Sequence, residues 1–131
     1  SGTEVIFMCG GSMFQSGVAA ASANDAYVIG VDVDQSGESD TVITSAMKGL
    51  REGVIYTLEK YYADSWDEIG GVQTTLGAAD DAVGLPVDNW LMENFTVDQY
   101  NAVYAQLKDG TITVANDILE MPESTEHVRI N

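Results

Sequence analysis

Two uninterrupted apolar runs, "EVIFMCGG" starting at Glu4 and "AYVIGVD" starting at Ala26, are separated by one short alanine-rich segment. A strand with one wet face alternates apolar and polar residues. A continuous run instead suits a strand covered on both faces, as in a parallel sheet. Parallel neighbours need a crossover, and "SMFQSGVAAASAND" between the runs supplies a short helix. Ser12 and Gln15 have capping-box spacing, which predicts Ser12 as the N-cap, and Asn24-Asp25 ends the segment. The expected product is a βαβ unit with a right-handed crossover.

Further along, Val42 and Ile43 predict a third short strand ending near Thr44. Met47, Leu50, Val54, Leu58 and Tyr61 then repeat at helical spacing, a stripe expected to pack into the core. "GGVQTTLGAADDAVGLP" from Gly70 reads as two short extended pieces around a turn. "FTVDQYNAVYAQLKDG" from Phe95 is the best-marked helix: Thr96 and Gln99 form a capping box, Phe95 and Tyr100 have hydrophobic-staple spacing, and Gly110 sits where a C-terminal cap belongs. "TITVAND" from Thr111 predicts a last short strand. The whole reads as one α/β domain over residues 1–115, with a Rossmann-like, mostly parallel sheet and a loosely held tail over 116–131.

Charge narrows the partners. The 131 residues carry 21 acidic against 5 basic side chains, a formal net charge of −16. Nucleic acid and anionic membrane surfaces are excluded, because both are bound through clustered Lys and Arg. Cys9 is the only cysteine, so neither an internal disulfide nor a cysteine-based metal site is open to the chain. At the end of an apolar run Cys9 is expected as a small buried hydrophobe, and His127 lies in the polar tail. No signal peptide or membrane-spanning segment is evident. Val5 begins a strand almost at once, which predicts a piece of a longer polypeptide.

Open parallel sheets bind ligands at the carboxyl ends of their strands. Three such ends carry polar or glycine residues: Gly10, Gly11 and Ser12; Asp32 and Asp34; Thr44 and Ser45, with Lys48 expected one turn into the following helix. Gly10-Gly11 either lets a ligand approach the backbone or makes a tight turn. The later glycine of the dinucleotide fingerprint is absent, so neither a nicotinamide nor a flavin is expected. Phe14 packs into the core or projects over the rim to stack on a flat ligand. Asp32 and Asp34 share one side of an extended segment. They suit a Mg²⁺ or Ca²⁺ site completed by water or phosphate, a clamp on vicinal hydroxyls, or a solvated strand end. "DVD" also resembles the D-x-D metal motif of sugar-nucleotide transferases. A lysine at a helix N-terminus opposes the helix dipole by roughly 0.3–1 kcal/mol, so a nearby Asp or a polar ligand is expected to offset Lys48. "ADD" (Asp80, Asp81) reads as a turn, and no nucleophile elbow or triad order is present.

Taken in order, "EVIFMCGGS", "YVIGVDVDQ", "VITSAMKGLREGVIYTLEKYYAD", "GGVQTTLGAADDAVGLP" and "YNAVYAQLKDGTITV" resemble the basic membrane protein family of substrate-binding lipoproteins, which includes the purine nucleoside receptors of ABC importers. "GVDVDQ" followed by "TSAMK" is the most specific part. The resemblance implies a type I periplasmic binding protein fold, two lobes closing on a ligand, with this chain forming part of the C-terminal lobe and exposing an unpaired sheet edge. It implies a non-catalytic, cofactor-free protein, lipid-anchored outside the cytoplasmic membrane and partnered by a permease. Its ligand set maps onto Gly10, Gly11, Phe14, Asp32 and Lys48, with Asp32 accepting from ribose hydroxyls, Lys48 neutralising it and Asp34 holding the loop. "GGSM" stands where many relatives have "GGTG". A metal-dependent enzyme using Asp32 and Asp34 is the expectation from another class, and a ligand-sensing domain of the same fold is a third.

Overall fold

The computed structural model describes residues 2–115 and 123–126. Four strands form one sheet in the order β1 (Val5–Phe7), β2 (Tyr27–Asp32), β3 (Val42–Lys48), β4 (Val83–Gly84). The β1–β2 and β2–β3 pairs are parallel, as the continuous apolar runs predict, and β4 adds an antiparallel edge. Between β1 and β2 runs α1 (Phe14–Ser22); α2 (Leu50–Tyr62) follows β3 and α3 (Val97–Lys108) follows β4.

One face of this sheet is covered. Phe14, Ala21 and Ala26 pack with Val28 of β2 and Val42 of β3, and Met8 and Val18 lie against them. Phe14 is only 4% exposed. Burial of Phe14, Val28 and Val42 stabilises by about 1.5–3 kcal/mol each and the alanine methyls add less, so this small cluster fixes α1 on β2 and β3. Side chains alternate across a strand, and Val5, Phe7 and Tyr27 of the opposite face remain largely exposed.

Several expectations change. Ser12 is not the helix N-cap: α1 starts after a 3-10 turn over Gly11–Met13, capped at Met13 without a side-chain bond. The Met13 N–H donates to the Gly10 carbonyl and Gly11 takes φ +53°, a left-handed value that glycine adopts at no steric cost. The backbone closes the turn, so no hydroxyl is needed. Cys9 is exposed, because β1 ends at Phe7 and the cysteine lies beyond it. The third strand does not end near Thr44 but continues to Lys48, paired with β2 on one side and β4 on the other. Thr44 and Ser45 are consequently buried within the sheet. The α2 stripe is not core: Leu50, Val54 and Leu58 are all exposed, and none of the helix's side chains is buried. With Leu76 these residues line a groove of about 500 Å³. No strand forms over residues 111–115; the rest of that expected strand, and most of the 116–131 tail with His127, lie outside the described residues.

The α3 signals hold. Thr96 and Gln99 exchange backbone bonds in a reciprocal capping box, and Gly110 takes φ +78° just beyond the helix. Trp90 bridges Phe95 and Tyr100, its ring 5.8 Å from Phe95 and 5.6 Å from Tyr100. Hydrogen bonds tie α3 to β4: the Tyr104 hydroxyl donates to the Val83 carbonyl at 2.8 Å and the Leu85 N–H donates to the Tyr100 hydroxyl at 3.0 Å. Lys108 pairs with Asp81 at 2.6 Å and holds that carboxyl below its ordinary range.

Two substitutions check this packing by urea unfolding. Phe14→Ala empties the centre of the one buried cluster and is expected to cost about 3–5 kcal/mol. Thr96→Ala removes only a cap and is expected to cost about 1 kcal/mol. Equal, small losses would contradict the placement of the core.

Candidate functional site

The carboxyl ends of β1, β2 and β3 share one rim, and its centre is an ion pair. Lys48, the last residue of β3, reaches Asp32, the last residue of β2, with Nζ 2.6 Å from Oδ1. Both side chains are at least half exposed, at 63% and 50%. An exposed pair of this kind contributes little to stability, so its value lies in presenting a fixed carboxylate and ammonium at the rim. The hydrogen bond and charge of Asp32 raise the Lys48 pKa above the ordinary 10.5, against a smaller desolvation effect. Lys48 lies on a strand, not in a helix, so the helix-dipole penalty inferred from sequence does not arise; Asp32 is nevertheless its partner.

Asp32 is held in an uncommon backbone conformation. Its φ is +68°, and the Val33 N–H donates across it to the Val31 carbonyl at 2.8 Å. That is a γ-turn of the rare, strained hand. A left-handed conformation costs a non-glycine residue roughly 1–2 kcal/mol, with Asp among the more tolerant types, and such strain persists where its surroundings over-determine it.

The surroundings are Gln35, Ser45 and Gly30. The Val31 N–H donates to Gln35 Oε1 at 2.8 Å, and the Gln35 N–H donates to Ser45 Oγ at 3.0 Å. Gln35 thus hooks the loop onto both β2 and β3. A Cβ on Gly30 would lie 2.6 Å from Gln35 Oε1 and 2.7 Å from Ser45 Oγ, so only glycine leaves room for the hook. Asp34 is turned into the loop, where its Oδ1 accepts from the Ser36 N–H at 3.0 Å.

Of the residues marked from sequence, Asp32 and Lys48 are brought into contact, and Gly10-Gly11 form the turn after the neighbouring strand. Phe14 is in the core and its ring is not on the rim. With Asp34 engaged by the loop backbone and Asp32 by Lys48, the two carboxylates do not converge. Among the described residues no three His, Cys, Asp or Glu side chains gather as a metal-ligand group. The sequence reading missed the supporting roles of Gln35 and Ser45; the glycine at position 30, opposite Ser45 in the β2–β3 pair, was the available signal once β3 was drawn to its full length. It also missed a cavity of about 430 Å³ beside the pair, which Asp32, Lys48 and Cys9 line together with Phe7, Val31, Tyr100 and Tyr104. No helix among the described residues is long and apolar enough to cross a membrane.

The sequence of this chain has counterparts among known proteins. The family model described as "ABC transporter substrate-binding protein PnrA-like" (Bmp) matches residues 1–120. Basic membrane protein D of Borreliella burgdorferi (strain JD1) is 33% identical over 124 residues, which is 92% of this chain and 35% of that protein. The chain therefore spans about a third of the length of the curated relative it matches. By the extent of both matches, it belongs to the Bmp family of PnrA-like ABC transporter substrate-binding proteins.

Proposed function

We propose that this chain supplies one side of a purine nucleoside-binding cleft, as the C-terminal-lobe portion of the receptor of an ABC importer. The observation that carries the reading is the Asp32–Lys48 pair, fixed at 2.6 Å on the exposed rim where parallel sheets receive ligands. Vicinal hydroxyls are donors that a carboxylate accepts from. Charge-assisted bonds of this kind are the stronger ones, and the ammonium beside Asp32 offers its remaining N–H groups to the sugar. The turn at Gly10-Gly11 brings backbone N–H groups to the same rim. In the parent protein the receptor is extracytoplasmic, lipid-anchored and met by a permease. The uncovered sheet face, the free edge of β1 and the bare stripe of α2 are surfaces that the remainder of such a receptor would cover, or through which this chain alone would self-associate. A metal-dependent reaction at Asp32 and Asp34 is not favoured, because the loop backbone engages Asp34.

A cleft with one side missing buries less ligand than a tight site needs, so binding in the millimolar range is expected for the chain alone. In an amide NMR titration with inosine, guanosine and adenosine, saturable shifts are expected at Gly10, Gly11, Asp32 and Lys48. They should vanish in both Asp32→Ala and Asp32→Gly. Glycine accepts the positive φ, so Asp32→Gly is expected to be more stable than Asp32→Ala by about 1 kcal/mol; loss of binding in the stabler variant separates chemistry from unfolding. Unchanged binding in Asp32→Gly would refute the clamp.

The pH dependence has a definite sign. Lys48 has a folded pKa raised above 10.5. Its pairing is therefore complete below the ordinary lysine pKa and is lost as pH rises through the raised value. Affinity for adenosine, whose base does not titrate between neutral pH and the ordinary lysine pKa, is expected to be constant over that range and to fall only above it. Lys48→Met, which has no ammonium at any pH, should bind weakly throughout. A fall in affinity beginning near neutral pH would contradict the assignment of Lys48.

A further inference from the structure

We propose that the Asp109–Gly110 link, just past the C-terminus of α3, is a site of spontaneous covalent modification, where aspartate converts to isoaspartate through a cyclic succinimide. It is the only Asp-Gly or Asn-Gly pair in the chain. Ring closure requires the amide nitrogen of the following residue to attack the side-chain carboxyl carbon. A side chain on that following residue obstructs the approach; Gly110 has none, and both residues are exposed.

The turn after α3 holds the two reacting groups in one small ring. Asp109 Oδ1 accepts from the Thr111 N–H at 2.8 Å, so the carboxyl folds back across Gly110 as an Asx-turn. The ring closed by that bond contains both the carboxyl carbon and the Gly110 nitrogen. No hydrogen bond from the Gly110 N–H forms among the described residues, so the nitrogen is not engaged elsewhere. Gly110 keeps φ +78° while the Ile112 N–H donates back to the Gln106 carbonyl at 2.9 Å. Nothing lies within 4 Å of the place a Cβ on Gly110 would take, which leaves water free access to the succinimide.

In the first step the bond from the Gly110 nitrogen to the Asp109 carboxyl carbon forms. The nitrogen gives up its proton, the carboxyl gives up its hydroxyl, and one water leaves. In the second step one water opens the succinimide at either carbonyl. Opening at the backbone carbonyl routes the chain through the side-chain carbon and gives isoaspartate; opening at the other restores aspartate. Nothing is oxidised or reduced, and the mass is unchanged. The departing oxygen leaves as water only from the protonated acid. Hydrogen bonds from Thr111 hold the Asp109 carboxyl below its ordinary range, against a smaller desolvation effect. The reaction is therefore slow at neutral pH and quickens as pH falls toward that lowered value. Isoaspartate lengthens the backbone by one carbon next to Lys108, the partner of Asp81. The return bond from Ile112 to Gln106 is then out of register, and the last turn of α3 loosens.

The test is prolonged warm incubation of the chain at mildly acidic and at neutral pH, then methylation by a protein isoaspartyl methyltransferase with a labelled methyl donor, and peptide mapping. Label is expected in the peptide holding Asp109, at least tenfold above the peptide holding Asp64, an exposed aspartate followed by serine. It should build up faster at the acidic pH. Asp109→Glu keeps the carboxylate but needs a larger ring, and is expected to abolish the label at this position. In the isolated isoaspartyl form the Ile112 amide should exchange with solvent faster than in the unmodified chain, while amides of β2 are unchanged. Label shared evenly between the Asp109 and Asp64 peptides, label that persists at this position in Asp109→Glu, or an Ile112 amide that exchanges as before would overturn the proposal.

Discussion

The rim depends on the register of β3 against β2. Val28 faces Val42, but the next residue, Ile29, faces Thr44, so Ile43 has no partner across the pair. This irregularity moves every later residue of β3 along by one position, about 3.3 Å. Asp32 therefore lies opposite Met47, with Lys48 next to it. In a regular ladder Asp32 would face Ala46, and Lys48 would project one residue too far. The same shift sets Ser45 against Gly30, the one place where a missing side chain lets Gln35 reach in. One register irregularity thus creates both the ion pair and the hook that holds the Asp32 loop in its strained turn.

The strain and the exposed charge pair belong to one economy of structure. Neither contributes to folding: an exposed ion pair is worth little, and a left-handed aspartate is unfavourable. Both are maintained by bonds that do favour folding, from the Val31 N–H to Gln35 Oε1 and from the Gln35 N–H to Ser45 Oγ. Features that cost stability and persist at a strand's carboxyl end are characteristic of binding sites. The small core, Phe14 to Val42, lies on the opposite side of the sheet from the uncovered face, so it supports the rim without enclosing it.

Much of the fold was legible. Continuous apolar runs fixed β1 and β2 as parallel neighbours, and the Thr96–Gln99 box located α3 to the residue. The family resemblance implied that Lys48 neutralises Asp32 and that Asp34 holds the loop, and both contacts form. The errors have physical causes. Met47 and Lys48 were placed in a helix because Met47 fits the helical stripe, whereas sheet pairing on both sides kept β3 extended to Lys48. The stripe itself, Leu50 to Tyr61, looked like core, because periodicity reports amphipathicity and not the identity of the covering partner. Phe14 was open between core and rim, and its proximity to Val28 and Val42 in the fold, invisible in one dimension, put it in the core. The hydrogen bonds of Tyr100 and Tyr104 were unreadable for the same reason: they depend on β4, whose two residues gave almost no signal.

The most direct test of the central claim is the carboxyl ¹³C resonance of Asp32, observed in aspartate-labelled chain during titration with inosine and with 2′,3′-dideoxyinosine. A carboxylate that accepts from the ribose hydroxyls is expected to shift saturably with inosine and to remain unmoved with the dideoxy compound. An Asp32 resonance that stays unchanged at millimolar inosine, or that moves equally with both compounds, would contradict the clamp.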